Sequence, residues 1–377
     1  MSEEKKTTAR KSNKKNIILI VMCSIMAVIL AVVLAVYLLI RSYVNKINYI
    51  DPDEWDINVT QDANNPTEET NPTFDDQVNE SGKEFVNNSE SIDKSYVKNY
   101  ALIGVDNRHF EKITSNPGNA DVIMILSVNT KANKVFITSI MRDTAVYIDY
   151  TSEMEEKHKN YKDGYDKINA ANARGGPEFL LDTIEANFKI KIDDYILVDF
   201  YSLIDIIDIL GGIPMKVSDA EAAAANNYIR DMEHDIYVQN HNLSDEGFEP
   251  KNLLTGGGDL LLNGVQAVGF ARERQTEGSD YMRTSRQRAV IEQIIIKAKK
   301  MSVSKLDEMA NAVLPKVYTN MTTNEITALI SEAVTYLGYD IVQNRIPFDG
   351  LYTSENGNLM PMYKETVEKF HDIIFEE

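Results

Sequence analysis

The chain has 377 residues, with 58 acidic against 39 basic side chains and a formal net charge of -19, enough length for one large domain or two ordinary ones. So acidic a bulk argues against a nucleic-acid partner, which calls for a basic face, and no helix-turn-helix unit offsets it. The one cysteine, Cys23, lies in an apolar run, so the chain has neither a disulfide framework nor a candidate thiol nucleophile.

In chain order, Lys5, Lys6, Arg10, Lys11, Lys14 and Lys15 precede an uncharged run from Ile17 to Ile40. As a helix that run is roughly 36 Å long, sufficient for a ~30 Å hydrocarbon core with some tilt. A secretory signal would have a shorter apolar region and a small-residue cleavage site; here Arg41 and Tyr43 follow. A cytoplasmic tail over 1–16 and a transmembrane helix over 17–40 are therefore expected, with everything beyond on the outer side of the cell membrane. Residues 41–95 are rich in Asp, Glu, Asn, Thr and Ser, carry Pro52, Pro66 and Pro72, and read as an extracytoplasmic acidic linker, with a charged loop packed on the domain as the other reading. Residues 96–377 are expected to form the globular domain.

Within it, ALIGV (101–105), VIMILSV (122–128) and VFITSIM (135–141) read as strands, the last two joined by a hairpin-like turn over 129–134. Gly175-Gly176-Pro177 opens a helix, since proline suits the first helical position. YILVDF (195–200) is a buried strand, LIDIIDIL (203–210) a helix stopped by Gly211-Gly212, and IPMKV a further strand. Leu262 to about Ala271 and Ser285 to about Met301 are helical, and Thr322 with Glu325 forms a capping box before ITALISEAVTYLG. Strands alternating with helices predict an α/β or α+β fold, a central mixed sheet sandwiched by helices.

Four arginines, Arg272, Arg274, Arg283 and Arg286, fall within fifteen residues of this acidic chain. Such a run is often a solvated helix face; brought together, guanidiniums repel unless an anion lies between them, and their planar fork suits phosphate or carboxylate. Arg283 and Gln287 share a helix face, with Arg286 close by; Asp280 is a candidate N-cap or internal counter-ion. Asp106 follows one strand and Asp121 precedes another. On neighbouring strands, the two would meet at one sheet edge and could hold Mg2+ with phosphate oxygens; singly, each is equally a turn former. Arg142 follows the third strand, either in the same pocket, paired with Asp143 or capping a turn. Lys167, Asn169 and Arg174 precede a helix start, where anions bind, though a helix-initiating loop without a ligand is an equal reading. HExxH, GxGxxG, P-loop and GxSxG motifs are absent, the histidines are scattered, and Gly256-Gly257-Gly258 reads as a turn.

Five stretches in order, ALIGVDNR, ADVIMILSVNTKANKVFITSIMRDT, KINAANARGGPEFLLDTIE, YILVDFYSLIDIIDILGGI and LLLNGVQAVGFARER…SDYMRTSRQRAVI, resemble the LytR–CpsA–Psr family over roughly residues 100–300. The resemblance implies a catalytic domain that takes an undecaprenyl-pyrophosphate-linked anionic glycopolymer, of teichoic acid or capsule type, and transfers it onto peptidoglycan, usually to the C6 hydroxyl of N-acetylmuramic acid. It implies Mg2+ on Asp106 and Asp121 and a pyrophosphate clamp of Arg142, Arg272, Arg274, Arg283 and Gln287. Arg108, Lys167, Asn169, Arg174 and Arg286 are expected beside the substrate, and the polyprenyl tail in an apolar tunnel between sheet and helices. The sequence departs from the family pattern at Asn119, usually arginine, at Met141, usually proline, and in TEGSD, which often carries another arginine. Fewer positive groups should weaken pyrophosphate binding, which keeps open a second reading: a non-catalytic polyprenyl-pyrophosphate binder or envelope scaffold.

Overall fold

The computed structural model describes residues 40–51, 76–87, 90–106, 117–150, 163–241, 244–276, 279–336, 338–355 and 357–377, with single positions at 38, 55 and 114. The expected membrane span lies outside the described residues except for Leu38 and Ile40; among the described residues no helix is long and apolar enough to cross a membrane.

The elements run β1 (Asn48–Tyr49), α1 (Asp76–Asn87), β2 (Val97–Val105), β3 (Ala120–Asn129), β4 (Lys134–Ile140), β5 (Ala145–Ile148), β6 (Gly164–Lys167), α2 (Ile168–Phe188), β7 (Asp194–Asp199), α3 (Phe200–Ile209) and β8 (Ile213–Val217). They continue with α4 (Asp219–Asn240), β9 (Gly258–Leu262), α5 (Gly264–Arg272), α6 (Ser279–Ala298), α7 (Val303–Val313), β10 (Tyr318–Thr319), α8 (Thr323–Tyr336), β11 (Asp340–Ile346), β12 (Tyr352–Glu355), β13 (Asn358–Pro361) and α9 (Tyr363–Ile374). Seven strands form the central sheet in the order β1-β10-β7-β2-β3-β4-β11. It is mixed: β2, β3 and β4 form an antiparallel meander, while β7 runs parallel to β2 and β11 parallel to β4.

The meander follows from alternating side chains and one turn. In that turn the Asn129 side-chain oxygen accepts from the backbone N–H groups of Lys131 and Ala132 at 3.0 and 2.9 Å, and Asn133 takes the left-handed conformation that asparagine tolerates. Alternation along β2 and β3 then divides the core in two. Ala101, Ile103, Ile123 and Ile125 point to a core closed by α2 and α9, through Leu180, Ile184, Phe188 and Phe370. The opposite face packs beneath α3, α5 and α6, whose buried residues Ile204, Val268 and Val290 belong to a second core shared with α4. This two-sided burial is the sandwich expected from the alternating elements.

Three boundaries differ from expectation. First, the stretch 41–95 is not wholly a linker: β1 pairs with β10, Val44 and Trp55 are buried, and α1 packs near Tyr165 and Lys189. Second, α2 begins at Ile168 and continues through Gly175-Gly176-Pro177 with a kink. Gly176 has φ 79°, a value glycine adopts without a steric penalty, and Pro177 starts the second straight segment. Third, α6 begins at Ser279, six residues before the expected start, so Asp280 lies inside its first turn.

Candidate functional site

The ends of β2, β3 and β4 converge. Val105 at the end of β2 pairs with Ala120 at the start of β3, after a register shift at Gly104/Val105, so Asp106 and Asp121 stand at one end of neighbouring strands. Gly104 packs tightly there: a Cβ on it would come within 2.9 Å of the Val122 Cβ. β4 delivers Met141-Arg142-Asp143 to the same end, and α5, capped at Asn263 by a Gln266 capping box, ends there with Arg272 in its last turn.

Each carboxylate meets an arginine. Arg272 Nη2 donates to Asp106 Oδ2 at 2.6 Å, and its guanidinium lies 4.9 Å from the centre of the Phe200 ring. Arg142 Nη1 donates to Asp121 Oδ1 at 2.6 Å, with Nε 3.7 Å from Asp143 Oδ2. Lys167 Nζ reaches Asp143 Oδ1 at 2.5 Å, and the Asn169 backbone N–H donates to the Arg142 carbonyl at 3.4 Å. The sheet end thus gathers Asp106, Asp121, Arg142, Lys167, Asn169 and Arg272. Arg274 stands exposed just beyond α5. Arg283 and Gln287 are buried one turn apart on α6, with the shared face that their spacing predicts.

Beneath this array lies an apolar cavity of about 230 Å³. Its floor is Leu102, Gly104, Val122, Met124, Ile196 and Val198 from the second face of the sheet, and its roof comes from α3, α5, α6 and α7. Arg272 and Gln287 are among its few polar lining residues, so the apolar space adjoins the carboxylate–arginine array. Tyr201, not singled out in the sequence, lies beside it. Its hydroxyl donates to Asp235 Oδ2 at 3.4 Å, and burial, then the charges of Asp235 and Asp106, push its pKa above the ordinary phenol range, so it remains a neutral donor.

Two arginines expected beside a substrate are committed to the fold. Arg174 bonds Asp166 and the Tyr150 hydroxyl; burial disfavours its charge, but Tyr150 and Asp166 outweigh that and hold its pKa above the usual value. Arg286 is 4% exposed and pairs with Glu273, itself 0% exposed, through both the carboxylate and the backbone carbonyl, the latter at 2.7 Å. Glu273 in turn accepts from the backbone N–H and hydroxyl of Thr276 at 2.9 and 2.7 Å. Arg286 therefore fixes the loop that carries Arg274. The signal was present in FARER, where a lone glutamate lies between two arginines. Arg108 lies outside the described residues.

The site thus joins an apolar cavity to paired arginines and carboxylates within an α/β domain. The chain belongs to the LytR_cpsA_psr family, whose model matches residues 56–373. It is 29% identical over 282 residues to the polyisoprenyl-teichoic acid–peptidoglycan teichoic acid transferase TagU of Bacillus licheniformis, covering 73% of this chain and 75% of that protein. It is also 29% identical to biofilm regulatory protein A of Streptococcus mutans, covering 69% of this chain but only 57% of that longer relative. The fold is similar to the structure of TagT bound to LI-WTA, with a TM-score of 0.52 and 20% identity over 77% of this chain and 93% of that one.

Proposed function

We propose that this protein is a membrane-anchored phosphotransferase that moves an anionic glycopolymer from a polyprenyl pyrophosphate carrier onto peptidoglycan. One observation carries the reading: the apolar cavity adjoins an anion-receiving array through Arg272 and Gln287. An isoprenoid tail suits the cavity, and a pyrophosphate suits the guanidiniums at its polar end. The name borne by the TagU relative supports this substrate class. The apolar run 17–40 would anchor the chain, with the domain outside.

In the reaction, a hydroxyl oxygen of the acceptor glycan bonds to the phosphorus that bears the polymer. The P–O bond to the lipid phosphate breaks, polyprenyl phosphate leaves, and the hydroxyl proton passes to a carboxylate. Such a step needs positioning and charge neutralisation more than a strong nucleophile. Arg142, Arg272 and Arg274 would neutralise the pyrophosphate, and Arg283 and Gln287 would orient it at the cavity mouth. On binding, the phosphates would compete with Asp106 and Asp121 for the arginines those carboxylates now hold.

Mg2+ fits the donor set. Asp106 and Asp121 are two hard oxygen donors at one end of adjacent strands, a number that suits an ion completed by substrate phosphates. Asp106 and Asp121 would hold the ion, and it would supply further neutralisation of the pyrophosphate charge.

The test supplies the full-length protein in detergent with lipid-linked polymer and peptidoglycan, with and without Mg2+. Polyprenyl phosphate should appear in step with polymer on the glycan, and Asp106→Asn and Asp121→Asn should each abolish the metal-dependent rate without adding. Tight binding of the donor with no product under any divalent cation would instead mark a non-catalytic binder.

A further inference from the structure

One basic cluster takes no part in this array. Gln343 and Arg345, two residues apart on β11, project toward α6: Gln343 Nε2 donates to Glu292 Oε2 at 2.9 Å, and the Arg345 guanidinium lies 4.3 Å from the centre of the Tyr281 ring. Tyr281, Arg288 and Glu292, spaced by seven and four, form one stripe of α6. Arg288 therefore faces β11 between these contacts. Burial, and next the charge of Arg345, hold its pKa below the ordinary arginine value. Arg345, 7% exposed, bonds Asp349 and the Met141 Sδ, the latter at 3.2 Å. Arg288 Nη1 is buried and has no hydrogen-bond partner among the described residues. Two guanidiniums near enough to repel, one with a buried donor and no acceptor, are costly and call for an anion.

The position of the cluster gives the anion a context. Ile346 pairs with Ile140 at the sheet end that carries Arg142, and Met141 links the two arginines. The tail cavity lies under β7, β2 and β3, the arginine–carboxylate array at the ends of β2, β3 and β4, and the new cluster over β4 and β11. The three follow one another across the sheet.

We propose that Arg288 and Arg345, with Tyr281, form a second phosphate-binding subsite on the side of the array away from the tail cavity. A phosphate group offers acceptor oxygens in several directions and answers two guanidinium forks at once. A carboxylate is a poorer match, since Asp349 already serves Arg345 and leaves Arg288 unsatisfied. The phosphate has two sources, the polymer on the donor or free inorganic phosphate, and only the first rests on the transferase proposal.

In the test, the full-length protein in detergent is titrated with inorganic phosphate by calorimetry at constant ionic strength, beside Arg272→Ala, Arg288→Gln and the double variant. Arg272→Ala should retain a binding event that the double variant lacks. In phosphate-free buffer Arg288→Gln should unfold no earlier than its parent, because it removes a charge that Arg345 repels. Superimposable titrations of Arg272→Ala and the double variant overturn the subsite, and so does early unfolding of Arg288→Gln, which would make Arg288 structural. For the source, transfer is measured with a phosphodiester polymer and a phosphate-free polymer on the same carrier. Loss of one charged hydrogen bond should raise KM roughly tenfold. That rise with the phosphodiester donor alone identifies the polymer phosphate; unchanged KM for both, with the titration positive, identifies free phosphate. A parent protein inactive in transfer refutes the transferase proposal only, since the titration needs no turnover.

Discussion

Replacing Arg286 by methionine separates a ligand arginine from a structural one. The change keeps most of the aliphatic stem and removes the charge, leaving the fully buried Glu273 carboxylate without its cation. Breaking one side of a buried pair typically costs ~3–5 kcal/mol. The lower end applies here, about 3 kcal/mol, because Thr276 still donates twice to Glu273 and Gln275 N–H donates once more. The complementary change, Glu273→Gln, leaves Arg286 with the residue-273 backbone carbonyl and Glu221, at 3.3 Å, as its one remaining carboxylate, and should cost about as much. The two losses share one interaction, so the double variant should fall short of their sum by roughly 1–3 kcal/mol. Urea unfolding read by fluorescence measures all three, with Trp55, the one tryptophan of the chain and a buried one, as reporter. Arg286→Met that stays within about 0.5 kcal/mol of the parent yet loses pyrophosphate binding would refute the reasoning and return Arg286 to the substrate.

Three other outcomes are expected. Arg272→Ala should lower transfer by about 2–4 kcal/mol in activation free energy, as for one preorganised charge-stabilising donor, and should destabilise less than Arg286→Met, since Asp106 keeps some solvent where Glu273 has none; steady-state kinetics beside urea unfolding checks it. Ala271→Phe, filling the cavity next to Arg272, should raise KM for long-chain carriers more than for short-chain ones, which a carrier-length series reads directly. Asp194, at the far end of β7, has its pKa raised to about 6, by burial first and then by Glu325 and Asp193. The folded state therefore binds this proton more tightly than the unfolded state, and stability falls as pH rises from about 4 through 6. Asp194→Asn should accordingly stabilise the protein above pH 6, by about 1 kcal/mol once solvent screening of a half-buried group is allowed for, and have little effect below pH 4; unfolding at both pH values decides it.

The sheet end was legible because its residues sit next to strong strand signals. Asp106, Asp121 and Arg142 each directly flank or begin an apolar run, and a run of alternating residues fixes where its flanks go. Arg283 and Gln287 were legible from helical spacing. Arg174 and Arg286 were not separable from the ligand set, because sequence shows which residues carry charge but not which carboxylate folding brings to each. Glu273 is one residue from Arg272 yet turns inward to Arg286. The pairing of β11 with β4 joins residues some 200 positions apart, so the Arg288–Arg345 cluster has no local signature. The long helix α4 was not among the expected elements, although the Ser218–Glu221 capping box that opens it is as plain a signal as Thr322–Glu325.

The docking of residues 43–50 changes how far the domain can travel. Tyr43 and Lys46 bond Asp307 and Asn311 on α7, Asn48 Nδ2 donates to the Pro315 carbonyl at 2.7 Å, and β1 adds to the sheet edge. A free leash of about 55 residues would reach roughly 180–200 Å when stretched. With the run 17–40 seated in a bilayer as proposed, contact with the domain begins at its very end: Ile40 packs on the cluster of Val44, Met321 and Ile326, and Tyr43 follows within roughly 10 Å at full extension. The domain would then ride on a stub at nearly fixed height over the lipid surface, close to a carrier that never leaves the membrane. For the proposed transfer, acceptors would be confined to glycan within that short reach of the lipid surface.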